Sequence, residues 1–118
     1  MIDGVLATLK QAGLMAALYA ERPNISDVII KGYSLPAETC VEGTADIVLP
    51  VPSTFPQAPP YGFFVLTPIT RQSGAWRNTS NAAPYQSGLF FSRKCEGWDV
   101  ARHDIIVVLA FINQWLAQ

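Results

Sequence analysis

Cys95 lies in Arg93-Lys94-Cys95-Glu96-Gly97, a polar stretch where a side chain is expected at the surface. A cysteine reacts through its thiolate, and neighbouring cations lower its pKa. Arg93 and Lys94 are thus the groups that would make Cys95 a nucleophile; the alternative is an incidental surface cysteine. His103 is the only histidine. It can act as a general base or donor near Cys95, but it also falls in the first turn of the expected last helix, where an exposed histidine is ordinary. One histidine and two cysteines do not make a protein-only structural zinc site of the usual kind. Gly-rich phosphate loops, paired carboxylates and Ser-His-Asp patterns are absent from the sequence. No metal and no cofactor is expected.

The rest of the composition narrows the class. The 118 residues suit a single domain, 1–118, long enough to bury a core without disulfides. Half the residues are apolar and 14% are charged, the opposite of a disordered chain. A net charge of −1 argues against general nucleic-acid binding, which rests on excess Lys and Arg. The longest apolar run, Ile105 to Ile112, is eight residues, against about twenty for a membrane span. The N-terminus lacks the basic region and apolar core of a secretory signal. The expectation is a soluble cytoplasmic domain with reduced thiols, without a nucleic-acid or membrane partner. The charge is unevenly placed: residues 1–70 carry a net of −3 and residues 71–102 a net of +3. That basic segment either steers an acidic partner or is an ordinary solvated face.

Several elements must position these groups. Asp3 can cap a first helix whose stripe is Val5, Leu6, Leu9, Ala12 and Ala16, with Leu14 and Leu18 beside it, ending at Pro23-Asn24. Residues 27–33 and 44–51 read as an antiparallel strand pair joined by a turn over 36–43. Residues 50–60 hold five of the nine prolines, so they form an ordered loop outside the sheet. Pro59-Pro60 favours polyproline or a cis bond. Residues 62–67 make a third strand and 88–92 a short fourth. Residues 70–87 are the loosest connection, functional or mobile. Asp99 is the expected N-cap of a last helix with the buried stripe Ile105, Val108, Leu109, Ile112 and Leu116. The fold class is α+β: an N-terminal helix, an antiparallel meander of about four strands, and a C-terminal helix.

This order, with a proline-rich loop between strands, resembles the ubiquitin-conjugating enzyme (UBC) fold. The matching stretch is Ile47-Val48-Leu49-Pro50-Val51-Pro52, Phe55-Pro56, Pro59-Pro60 and Phe63-Phe64-Val65-Leu66-Thr67. The family's Trp before an Ile- and Leu-rich helix corresponds to Trp98-Asp99-Val100 followed by residues 104–109. Gly74-Ala75-Trp76, Phe90-Phe91-Ser92-Arg93 and Trp98 resemble more closely a bacterial subgroup, the prokaryotic family E. Members of that subgroup are encoded beside ubiquitin-like proteins and activating enzymes.

The resemblance implies a protein that accepts a ubiquitin-like protein from an activating enzyme and transfers it. Such chemistry needs a nucleophile and an oxyanion donor. Two departures stand out. The family's His-Pro-Asn is replaced by Ile69-Thr70-Arg71-Gln72-Ser73, with Asn78 or Asn81 as possible substitutes. The position of the usual cysteine, about eight residues before the Trp, is Phe90. The candidate nucleophiles are therefore Cys95, or Ser92 through an oxyester, with His103 as a base. Cys40 falls on a hairpin far from the reaction site in the resembled fold. Phe55, Pro56, Trp76, Arg93, Lys94 and Trp98 are the candidate partner-binding residues; for Phe55 and the two tryptophans, core or loop packing is the other reading. An alternative function is a catalytically inactive module that binds a ubiquitin-like protein or an activating enzyme.

Overall fold

The computed structural model describes residues 2–118. Helix α1 is Ile2–Gln11, and helix α2 is Ile105–Leu116. Between them run β1 (Met15–Arg22), β2 (Ile25–Ser34), β3 (Thr44–Pro52), β4 (Phe63–Val65), β5 (Thr79–Asn81) and β6 (Leu89–Phe91). They form one antiparallel sheet in the order β1-β2-β3-β4-β6-β5. The expected α+β class holds, with six strands in place of about four.

The period-2 alternation of strands sorts the side chains onto two faces. Val28, Ile30, Ile47, Leu49, Phe63, Val65 and Phe91 join Val5 and Leu9 of α1 and the apolar stripe of α2 in the main core. Ile29, Val48 and Phe64 belong to a smaller cluster, with Ala82, Tyr85 and Phe90. Phe63 stacks on Phe91 at 4.8 Å and on Trp115 of α2 at 5.9 Å, tying the sheet centre to the helix.

The first helix is shorter than its stripe suggests. It stops at Gln11, and Gly13 adopts φ +84°. The Leu14 N–H donates to Leu9 O and the Gly13 N–H to Lys10 O, the paired bonds of a Schellman ending. Ala16 and Leu18, placed on the helix by their spacing, belong instead to β1, where Ala16 is buried and Leu18 exposed. The glycine within the stripe is the stop signal. At the other end the N-cap of α2 is Asp104, not Asp99: its Oδ1 accepts from Ile106 N (3.0 Å) and Val107 N (3.4 Å). Asp99 caps the preceding turn by accepting from Ala101 N at 3.0 Å. The segment 70–87 contains β5, a strand of three residues without apolar alternation, held by pairing to β6. The cis bonds precede Pro56 and Pro84 rather than lying at Pro59-Pro60.

Asp27 is the one buried charge among the described residues. Arg22 grips it with two bonds, Nε to Oδ2 at 2.7 Å and Nη2 to Oδ1 at 2.8 Å, and the Tyr85 hydroxyl donates to Oδ2. Both of its oxygens are thus satisfied, as a buried charge requires. This cluster ties the β1–β2 hairpin to the 82–88 loop.

Candidate functional site

Gly62, just before β4, has φ +70°, and a Cβ there would lie 2.3 Å from the Phe91 carbonyl oxygen. Only glycine permits this approach. It lets the Gly62 N–H donate to Arg93 O at 2.7 Å, which sets Tyr61 beside Ser92. The two hydroxyls share a hydrogen bond of 2.6 Å.

Around this pair opens a cleft of about 720 Å³, lined by Arg71, Arg77, Arg93 and Lys94 together with Trp76, Asn78 and Trp115. Its described lining carries no Asp or Glu. Arg93 is the structural cation. Its guanidinium donates to Asn78 O (3.1 Å), Ser92 O (2.9 Å) and Arg77 O (2.8 Å), and lies 5.4 Å from the Phe91 ring. Partial burial lowers its pKa from the usual arginine value. Arg71 donates to Ser73 O and Gln118 O and sits 5.8 Å over the Trp76 ring. Trp76 is fixed by its Nε1 donating to Ile69 O at 3.2 Å and by edge contact with Phe91. Asn78, in the left-handed region at φ +53°, offers its carbonyl to both Ser92 N and Arg93. Lys94 and Arg77 are exposed residues of the cleft lining.

Cys95 does not share this surface. Its residue is 3% exposed, correcting the expectation of an exposed thiol. The Sγ donates to Pro60 O at 3.8 Å, and burial pushes the thiol up from 9.0 to about 11. The flanking cations do not offset that desolvation. Cys40 is 2% exposed in a bridge to Arg71, and its thiol is raised, chiefly by burial.

The remaining sequence candidates form a packing cluster. Trp98 donates from Nε1 to Pro56 O at 2.8 Å and packs on Phe55, whose ring is buried rather than displayed as a patch. His103 precedes α2 instead of occupying its first turn. Its Nδ1 accepts from Asp99 N at 3.0 Å, and its ring meets Trp98 edge-on. That bond uses the lone pair a general base needs on this nitrogen. Phe55, Pro56, Trp98 and His103 thus clamp the 92–104 loop onto the proline-rich segment.

The structure brings together Ser92, Arg93, Lys94 and Trp76, and leaves Cys95, His103, Phe55 and Trp98 outside the cleft lining. Sequence reasoning missed Tyr61. A glycine after Pro59-Pro60-Tyr61 was the available sign of a close backbone approach there. Phe90, at the position of the usual cysteine, turns its side chain into an apolar groove on the other side of Tyr61. Among the described residues no three His, Cys, Asp or Glu side chains gather as metal ligands, and no helix is long and apolar enough to cross a membrane.

The family model described as Prokaryotic E2 family E matches residues 9–118. No curated protein and no solved structure matches the chain.

Proposed function

The chain belongs to the prokaryotic E2 family E, and from that premise we propose that it is an E2-like module which binds a ubiquitin-like protein, or the activating enzyme that carries it, at the basic cleft, without carrying the acyl group on Cys95. E2-like membership implies dealings with such partners in general. The finer reading rests on one observation above the others: the Cys95 thiol is buried against Pro60 O and raised to about 11. A thioester carrier needs a thiolate that a bulky activated carboxyl can reach. Phe90 in place of the usual cysteine and the missing His-Pro-Asn point the same way.

Ser92 remains the second reading, because its Oγ faces the cleft beside Tyr61. An oxyester there needs a base to take the serine proton, and its hydrogen-bonded side-chain partner is a phenol, not a base. The two free thiols fit a cytoplasmic setting.

The test is calorimetric titration of a ubiquitin-like protein, and separately its activating enzyme, of the kind encoded beside members of this subgroup, into this protein without ATP. Saturable binding of either is expected. Binding of neither would overturn the proposal.

A further inference from the structure

The basic cleft has a neighbour. A groove of about 500 Å³ is lined by Ile25, Pro50, Pro59, Phe64 and Phe90 with a few small polar residues, and Tyr61 lines both it and the cleft. The same two elements run from one to the other. Phe90 and Ser80 line the groove, and their near neighbours Ser92 and Asn78 line the cleft. Tyr61, 56% exposed, is therefore a low ridge between an apolar compartment and a cationic one.

The two compartments have matched, opposite chemistry. In the cleft, the Arg71 and Arg93 guanidinium groups are engaged with backbone carbonyls. Arg77 and Lys94 make no side-chain hydrogen bond or ion pair among the described residues, so their donors are free for a ligand. In the groove, the single cation, Arg22, is neutralised by Asp27. The groove volume lies within the usual range of ligand pockets and leaves room for an apolar side chain with its flanking backbone.

We infer that groove and cleft form one bipartite site for an extended acidic peptide segment, with an apolar side chain seated against Phe64 and Phe90 and carboxylates reaching Arg77 and Lys94 across Tyr61. Charge complementarity selects this occupant. Two uncommitted cations, Arg77 and Lys94, without a lining Asp or Glu favour an anion, and an apolar compartment alongside favours one that also carries hydrocarbon. A nucleic acid offers no aliphatic group for the groove, and the chain's net charge of −1 opposes a general polyanion site. This deepens the reading above and rests on it for the partner's identity: the segment belongs to the ubiquitin-like protein or activating enzyme.

The experiment uses a fluorescein-labelled peptide of about ten residues with leucines followed by glutamates, read by anisotropy against the whole protein. Binding is expected, weakening about tenfold when the leucines become serines and strongly as salt rises. Arg77→Ala and Lys94→Ala should each weaken it roughly two- to fivefold. Ser80→Trp, at an exposed position on β5, should block the groove while leaving the circular dichroism and melting temperature intact. Equal binding of a version with lysines for glutamates would overturn the inference. So would indifference to both cation substitutions. Full displacement by a short oligouridylate, with no effect of the leucine-to-serine change, would mark a polyanion surface and overturn it as well. Excess peptide should displace a bound ubiquitin-like protein or activating enzyme. If either partner binds but is not displaced, the bipartite site fails while the binding reading stands. If the peptide binds and neither partner does, the binding reading fails and the peptide site stands alone.

Discussion

Cys95 labelling at two pH values separates a buried structural thiol from a reactive one. An ordinary thiol at 9.0 is about one-tenth thiolate at pH 8, whereas one raised to about 11 is about one-thousandth. The native protein should therefore react with a disulfide reagent at pH 8 at least about a hundredfold more slowly than the chain in denaturant. Burial at 3% exposure adds the cost of opening the 92–104 loop, so this ratio is a lower bound. The pH dependence is a sharper discriminator. Between pH 8 and pH 10 the native rate should rise about a hundredfold, because the whole interval lies below about 11. In denaturant the thiolate fraction saturates near 9, so the rate should rise only about tenfold. Peptide mapping by mass spectrometry separates Cys95 from Cys40. A native rate within a few-fold of the denatured rate at pH 8, rising only about tenfold by pH 10, would refute the reasoning.

Four further outcomes follow from the packing. Gly62→Ala places a Cβ 2.3 Å from Phe91 O at a positive φ, and should cost about 2 kcal/mol or more in denaturant melts. Asp27→Ala leaves the Arg22 guanidinium and the Tyr85 hydroxyl without their acceptor, and should cost about 2 to 3 kcal/mol by the same measurement. Asp104→Ala removes the α2 cap and should cost about 1 kcal/mol. Alkaline pH should destabilise the fold, because Cys95 and Tyr33 are both held neutral by burial, at about 11 and about 12. Their contribution is fully present below about pH 9 and is lost as pH rises through 11 and 12, so the melting temperature should fall over that window.

Much of the architecture was legible because apolar periodicity and proline placement act locally. The stripe of α2, the alternation of Ile47 and Leu49 against Asp46, and the loop at 50–60 need no distant partner to be read. The misread places depend on contacts made across the chain. Residues 14–18 fit the helical stripe and a strand equally well, and pairing of β1 with β2 decides between them. β5 has no apolar signal and exists through its bonds to β6. At the candidate site, four of the basic residues after position 70 line one cleft, Arg93 and Lys94 among them. Cys95 is buried although its neighbours along the chain are polar. Its burial comes from Pro60, thirty-five residues away in sequence, and no local pattern carries that contact.

On the proposed function, this E2-like chain recognises its partner without forming a thioester at Cys95. The most direct measurement incubates the protein with a ubiquitin-like protein, the matching activating enzyme and ATP, followed by intact mass spectrometry with and without thiol reductant. The activating enzyme is expected to charge itself while this protein keeps its unmodified mass in both samples. A reductant-sensitive adduct that maps to Cys95 and disappears in Cys95→Ser would contradict it.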